Sequence, residues 1–179
     1  MTTIHQSPAV ASRRRFLKSS GSAALATVLV TSGSAVLAPS QGWGLEVKAL
    51  KPQTMASLIQ MARDIYPHDQ IADRYYAIAV KRHDETAAAD KDHLHMIEDG
   101  ITDLDARAGS TGYLGVGWEA DRVALLEEIE PMPFFQAVRG GLVVDLYNQE
   151  ELWPIFGYEG ASFEMGGYIE RGFDDIEWL

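Results

Sequence analysis

Apolar positions along the chain fall into one helical stripe after another once Pro52 is passed. Leu58, Met61, Ala62 and Ile65 recur at i, i+3, i+4 and i+7, which predicts a helix over roughly 53–66, and Pro67 closes it. A second helix is expected from about Asp69 to Ala88. Ile71, Tyr75, Ile78, Ala79 and Arg82 would share its face, with Asp69 as the N-cap. A third, over roughly 90–107, carries Leu94, Ile97, Ile101 and Leu104, with Gly109 just beyond its end. A fourth, about 119–129, has Val123, Leu126 and Ile129 on one side, and Pro131 and Pro133 stop it and restart the chain. A fifth covers roughly 133–148, with Phe134, Val138 and the stretch from Leu142 to Leu146. A short turn, Glu150 to Phe156, follows it. Period-2 alternation is scarce, no Asn-Gly hairpin signal occurs, and no internal repeat is visible. The expected fold is all-α: an irregular bundle of about five helices ending in an extended aromatic tail, "GASFEMGGYIERGFDDIEWL".

The segment before the bundle has a different texture. Ser12-Arg13-Arg14-Arg15-Phe16-Leu17-Lys18 resembles the twin-arginine (Tat) export motif S-R-R-x-F-L-K at every position, with Ser12, Arg13, Arg14, Phe16, Leu17 and Lys18 as the motif residues. Behind it, Ala23 to Ala38 is apolar but broken by Thr27, Thr31, Ser32, Gly33 and Ser34. A bilayer-spanning helix needs about 20 predominantly apolar residues, so the stretch suits a signal better than an anchor. Val36-Leu37-Ala38 offers small residues at a cleavage site. Pro39 disfavours cutting there, and cleavage after Ala35 and retention of the leader are the alternatives. The division is therefore 1–38 signal segment, 39–51 linker and 52–179 helical domain. A basic arm leading into a buried helix is the plainer alternative for the leader.

Charge sharpens this division. Residues 1–38 contain four basic residues and no acidic ones. The remaining 11 basic residues stand against 26 acidic ones, so the body carries about −15. Such a body repels nucleic-acid backbones and anionic lipid, and nucleic-acid binding is not expected. The chain has no Cys, which excludes disulfides, thiolate nucleophiles, Cys-ligated metal and an attached haem of its own.

Candidate chemistry is thin. Gly112 to Gly117 imitates a G-x-x-G-x-G loop, but a helix precedes it where a nucleotide loop needs a strand. The reading is a turn that lays Tyr113 and Trp118 on the surface. His93 and His95 point in divergent directions on a helix, and nothing completes a site around His95 and Asp99, so no metal is expected. Asp103, Asp105, Glu127 and Glu128 read as solvated. Tyr66-Pro67-His68-Asp69 lies at a helix–helix corner and has two readings. One is a turn with Asp69 as cap and His68 bonded locally; the other is a contact site with His68 presented outward. Among the C-terminal aromatics, those up to Tyr158, Trp153 included, are expected to seal the bundle. Phe163, Tyr168, Phe173 and Trp178 are expected to dock on another protein.

Taken together, the leader, "MARDIYPHDQIADRYYAIAV", "GYLGVGW" and "LYNQEELWPIFGYEGASFEMGGYIERGFDDIEWL" resemble the gluconate 2-dehydrogenase subunit 3 family over roughly residues 52–179 plus the leader. The resemblance implies a non-catalytic small subunit of a glucose–methanol–choline (GMC) type flavin dehydrogenase acting on a sugar or alcohol. FAD would sit in the large partner subunit, and no cofactor in this chain. A cytochrome c subunit and the Tat translocase would be further partners. The location would be periplasmic, with any membrane association made through the complex. Tyr66, Pro67, His68 and Asp69 would form the family's corner motif, and Gly112 to Trp118 its aromatic loop. No catalytic residue carries over. Two readings from other classes stand beside it: a stand-alone exported enzyme, and a periplasmic binding module, each using the His68 region.

Overall fold

The computed structural model describes residues 27–31, 34–38 and 45–169. The Tat-like motif residues Ser12 to Lys18, and Phe173 and Trp178 of the tail, lie outside them. The chain enters through three short antiparallel strands, β1 (Thr27–Thr31), β2 (Ser34–Ala38) and β3 (Leu45–Val47). Thr27 pairs with Ala38, and Ala35 with Val47. The helical stripes give no hint of this ladder, but the β-branched Thr27, Val28, Val30, Thr31 and Val36 suit it. From residue 48 onward the described residues contain no strand, and the body is an all-α bundle.

Five α-helices build that body. Helix α1 (Pro52–Ile65) starts with Pro at its first turn, where no N–H is needed, and stops one residue short of Pro67. It has no cap of its own. Glu98 supplies one from another helix: it accepts from Lys51 N at 2.8 Å and Thr54 Oγ1 at 3.0 Å. Helix α2 (Asp73–Ala89) begins later than expected. Ala72, not Asp69, is its N-cap residue, and Asp69 lies in the preceding turn. Its buried face also differs from the expected stripe. Ile78 is 52% exposed and Arg82 points outward, while Tyr76, Val80, His83 and Ala87 are buried. Helix α3 (Lys91–Arg107) is capped by Asp90, whose Oδ1 accepts from Asp92 N and His93 N. Its stripe, Ile97, Ile101 and Leu104, is buried as the periodicity implies.

Helices α4 (Glu119–Glu128) and α5 (Pro133–Asp145) complete the bundle. Leu126, Ile129, Phe134, Val138, Leu142 and Leu146 close the core over Met55, Leu58 and Met61 of α1. A 3-10 helix over Glu150–Phe156 then buries Leu152. Two features tie the elements together. Gly100 of α3 admits the Phe134 ring so closely that a methyl group there would overlap it. Gly100→Ala is therefore expected to destabilise by about 1–3 kcal/mol despite Ala's better helix propensity, read as a lower urea midpoint at unchanged slope. The second feature lies in the stretch expected to be a linker. Val47 and Leu50 are buried, and the wholly buried Asp84 of α2 accepts from three successive amides, Lys48 N, Ala49 N and Leu50 N, at 2.8–2.9 Å.

Candidate functional site

The corner at Tyr66-Pro67-His68-Asp69 is held from behind by Tyr76. Its hydroxyl donates to Tyr66 O at 2.7 Å and accepts from His68 N at 3.1 Å. Arg63 closes the other side, donating to Ile71 O and pairing with Asp73 at 2.7 Å. With its backbone fixed on both flanks, the corner aims the His68 ring at the chain after α5. His68 Nε2 and the Tyr147 hydroxyl share a 2.8 Å hydrogen bond, and the two rings meet edge to face at 5.7 Å. Phe156 packs on His68 at 5.1 Å and on Tyr147 at 5.4 Å, and Tyr66 joins Tyr147 at 5.8 Å. The His68 ring is thus bonded to a side chain 79 residues away, while its backbone oxygen accepts locally from Ile71 N at 3.1 Å, as in the turn reading. Burial raises the Tyr147 phenol pKa, with Tyr66 adding to the effect. The neutral hydroxyl can then serve the imidazole as donor or acceptor.

Beside this cluster lies a cleft of about 70 Å³, lined by Arg63, Asp64, Pro67, His68, Asp69, Glu119 and Arg122. Its floor is a buried ion pair. Arg122 grips Asp64 with two bonds, Nε to Oδ2 at 2.6 Å and Nη2 to Oδ1 at 2.8 Å, and also donates to Val116 O at 3.0 Å. The Tyr113 hydroxyl donates to Asp64 Oδ2 at 2.6 Å, and Gln60 to Oδ1 at 3.1 Å. Burial first, then the Asp64 charge, push the Tyr113 phenol far up, and the carboxylate raises the Arg122 guanidinium in turn. Phenol and guanidinium thus stay protonated and available as donors across ordinary pH, as suits a structural anchor.

Tyr113 therefore does not lie on the surface. Gly112, at φ 62°, turns the chain so that Tyr113 N donates to Asp105 at 2.8 Å and the ring is wholly buried. Of the two loop aromatics expected outside, only Trp118 is exposed, at 70%. Tyr66 and His68 are half-buried, and Pro67 and Asp69 exposed. The corner brings Tyr66 and His68 together with Phe156, one of the aromatics expected to seal the bundle, and with Tyr147, which carried no signal of its own. Another pairing was equally silent. His83 Nδ1 and His93 Nε2 lie 3.1 Å apart across the α2–α3 hairpin, their rings parallel within 3° and their centroids 5.3 Å apart. His95 is exposed and turned away from them, as helical spacing requires. Among the described residues no group of three or more His, Asp or Glu is placed to hold a metal ion. No helix among them is long and apolar enough to cross a membrane.

The aromatic stretch divides where the sequence suggests, though less sharply. Trp153 is half-buried, donates through Nε1 to Tyr147 O at 3.0 Å and supports Tyr158 edge-on at 5.1 Å. Ile155, Phe156 and Tyr158 nevertheless keep exposed faces. Beyond them Phe163 is 77%, Tyr168 66% and Ile169 85% exposed. The backbone under them is defined by left-handed Gly157 and Gly166 and by a 2.7 Å bond from Gly167 N to Ser162 O. Comparison of the chain with protein families, with curated proteins and with solved structures finds no match.

Proposed function

We propose that this chain is a non-catalytic escort subunit of an exported, FAD-dependent dehydrogenase of the GMC type. In this reading the leader carries the folded, flavin-loaded partner to the periplasm, and the helical body covers part of the partner's surface. FAD and substrate belong to the partner. The observation that carries the reading is the run of exposed large apolar side chains on residues 155–169, set on a defined backbone. A soluble chain exposes such a run at a cost unless another protein covers it, and aromatic side chains are the usual anchors of such interfaces. The twin-arginine motif and the family resemblance add the export route and the kind of partner.

The test is co-expression with a GMC-type flavoprotein large subunit from the same source, sought first in the adjacent reading frame. A 1:1 complex is expected, with FAD bound in the large chain. Phe163→Ser with Tyr168→Ser should weaken it by about tenfold or more, since central aromatics contribute most of the energy of an interface. A stable, monodisperse monomer with no affinity for the flavoprotein would remove the reading. Turnover by the isolated chain that disappears in His68→Ala would replace it with the stand-alone enzyme, for which the His68–Tyr147 pair beside a cleft is the supporting geometry.

A further inference from the structure

We infer that the face carried by residues 155–169 docks a protein surface that is apolar at its centre and basic at its rim. The inference rests on the escort reading and adds to it the chemistry of the partner's contact surface. Residues 140–170 contain six acidic residues and not one Lys or Arg. Glu150, Glu151 and Glu164 of this stretch are exposed, flanking or interleaved along the chain with the exposed Phe156, Tyr158, Phe163, Tyr168 and Ile169. An apolar centre with a rim of a single sign is electrostatically selective. A rim of opposite charge speeds encounter, whereas like charges brought face to face cost affinity.

That selectivity decides between occupants. A second copy of the chain would bring the same acidic rim, and the same strongly negative body, against its own image. An anionic lipid surface is repelled for the same reason. A basic-rimmed protein surface satisfies both parts of the face at once. The face is also preformed. Trp153 is anchored by its indole N–H on Tyr147 O, Tyr158 N bonds back to Trp153 O at 2.9 Å, and Gly167 N closes on Ser162 O. Ordering of this backbone is met in folding, so docking retains more of its contact energy.

The experiment uses the full chain and the flavoprotein of the co-expression test, with association and dissociation rates measured separately. Glu150→Gln, Glu151→Gln and Glu164→Gln are combined, all on exposed side chains. At about 50 mM salt the triple variant should associate roughly tenfold more slowly than the parent and dissociate at the same rate, the difference closing by about 0.5 M salt. Phe163→Ala should do the opposite, raising the dissociation rate and sparing association. Equal association rates for parent and triple variant at low salt would overturn the inference while leaving the escort reading intact. So would concentration-dependent self-association of the chain alone that Phe163→Ala abolishes, because a second copy would then be the occupant. Failure to bind the flavoprotein at any salt removes the escort reading and the inference with it.

Discussion

Asp64→Ala is expected to cost about 3–5 kcal/mol of folding free energy, the usual loss when one partner of a buried ion pair is removed. The carboxylate is nearly inaccessible and receives four donors: two from Arg122, one from Tyr113 and one from Gln60. Removing it leaves a fully buried phenol without its acceptor and a guanidinium with 14% side-chain exposure that keeps only its bond to Val116 O. Asp64→Asn keeps the shape and can still accept, but loses the charge that holds Arg122, so its loss should be smaller. Urea unfolding of the two variants and of Tyr113→Phe checks the order. Asp64→Ala should have the lowest midpoint. The Asp64→Ala/Tyr113→Phe double variant should lose less than the sum of its singles, because the two side chains share one bond. Full additivity would mean that the network contributes no coupling.

Mild acid should destabilise the protein through His83. Burial, then the neighbouring His93 and Arg82, lower the His83 pKa from 6.5 to about 4. The folded state therefore holds His83 neutral while the unfolded chain takes up a proton below pH 6.5. Between those values the unfolded state binds more protons, so stability rises with pH: it is complete above about 6.5 and is lost as pH falls toward 4. A shift of that size corresponds to about 3 kcal/mol, of which about 2 is gone by pH 5. Beyond His93 and Arg82, His83 Nε2 faces Gly141 of α5, which Asp145 Oδ2 also flanks. Urea midpoints measured from pH 7.5 to 5 should fall for the parent and stay level for His83→Gln. An equal fall in both would assign the acid sensitivity to other groups.

The elements that the sequence revealed are those whose stability is local. On α3 the stripe Ile97, Ile101, Leu104 is uninterrupted, and Asp90 stands where a capping residue should, so both the helix and its buried face could be read directly. On α2 the buried face includes His83 and Asp84, polar residues that a hydrophobic count assigns to solvent. Of the expected stripe, Ile71, Tyr75 and Ala79 are buried, whereas Ile78 and Arg82 are exposed. Asp84 is satisfied by backbone amides 34–36 residues upstream, and backbone amides leave no mark in a sequence. The Tyr113 loop shows the same limit. Its glycines announced a turn, but the direction of the ring is set by Asp64, 49 residues away. At the candidate site, Tyr66 and His68 could be named from their corner. Tyr147 and Phe156 could not, because only the return of the chain after α5 brings them there.

The clasp of Asp84 on residues 48–50 has a consequence for the leader. Those three amides are the root from which the N-terminal segment departs, and they are gripped only when α2 has formed and lies in place. In a chain whose bundle is unfolded or misassembled, these three amides lose their acceptor and residues 48–50 are released from the domain. The clasp therefore works as a folding gauge: the anchorage of residues 48–50 reports whether the bundle behind them is assembled.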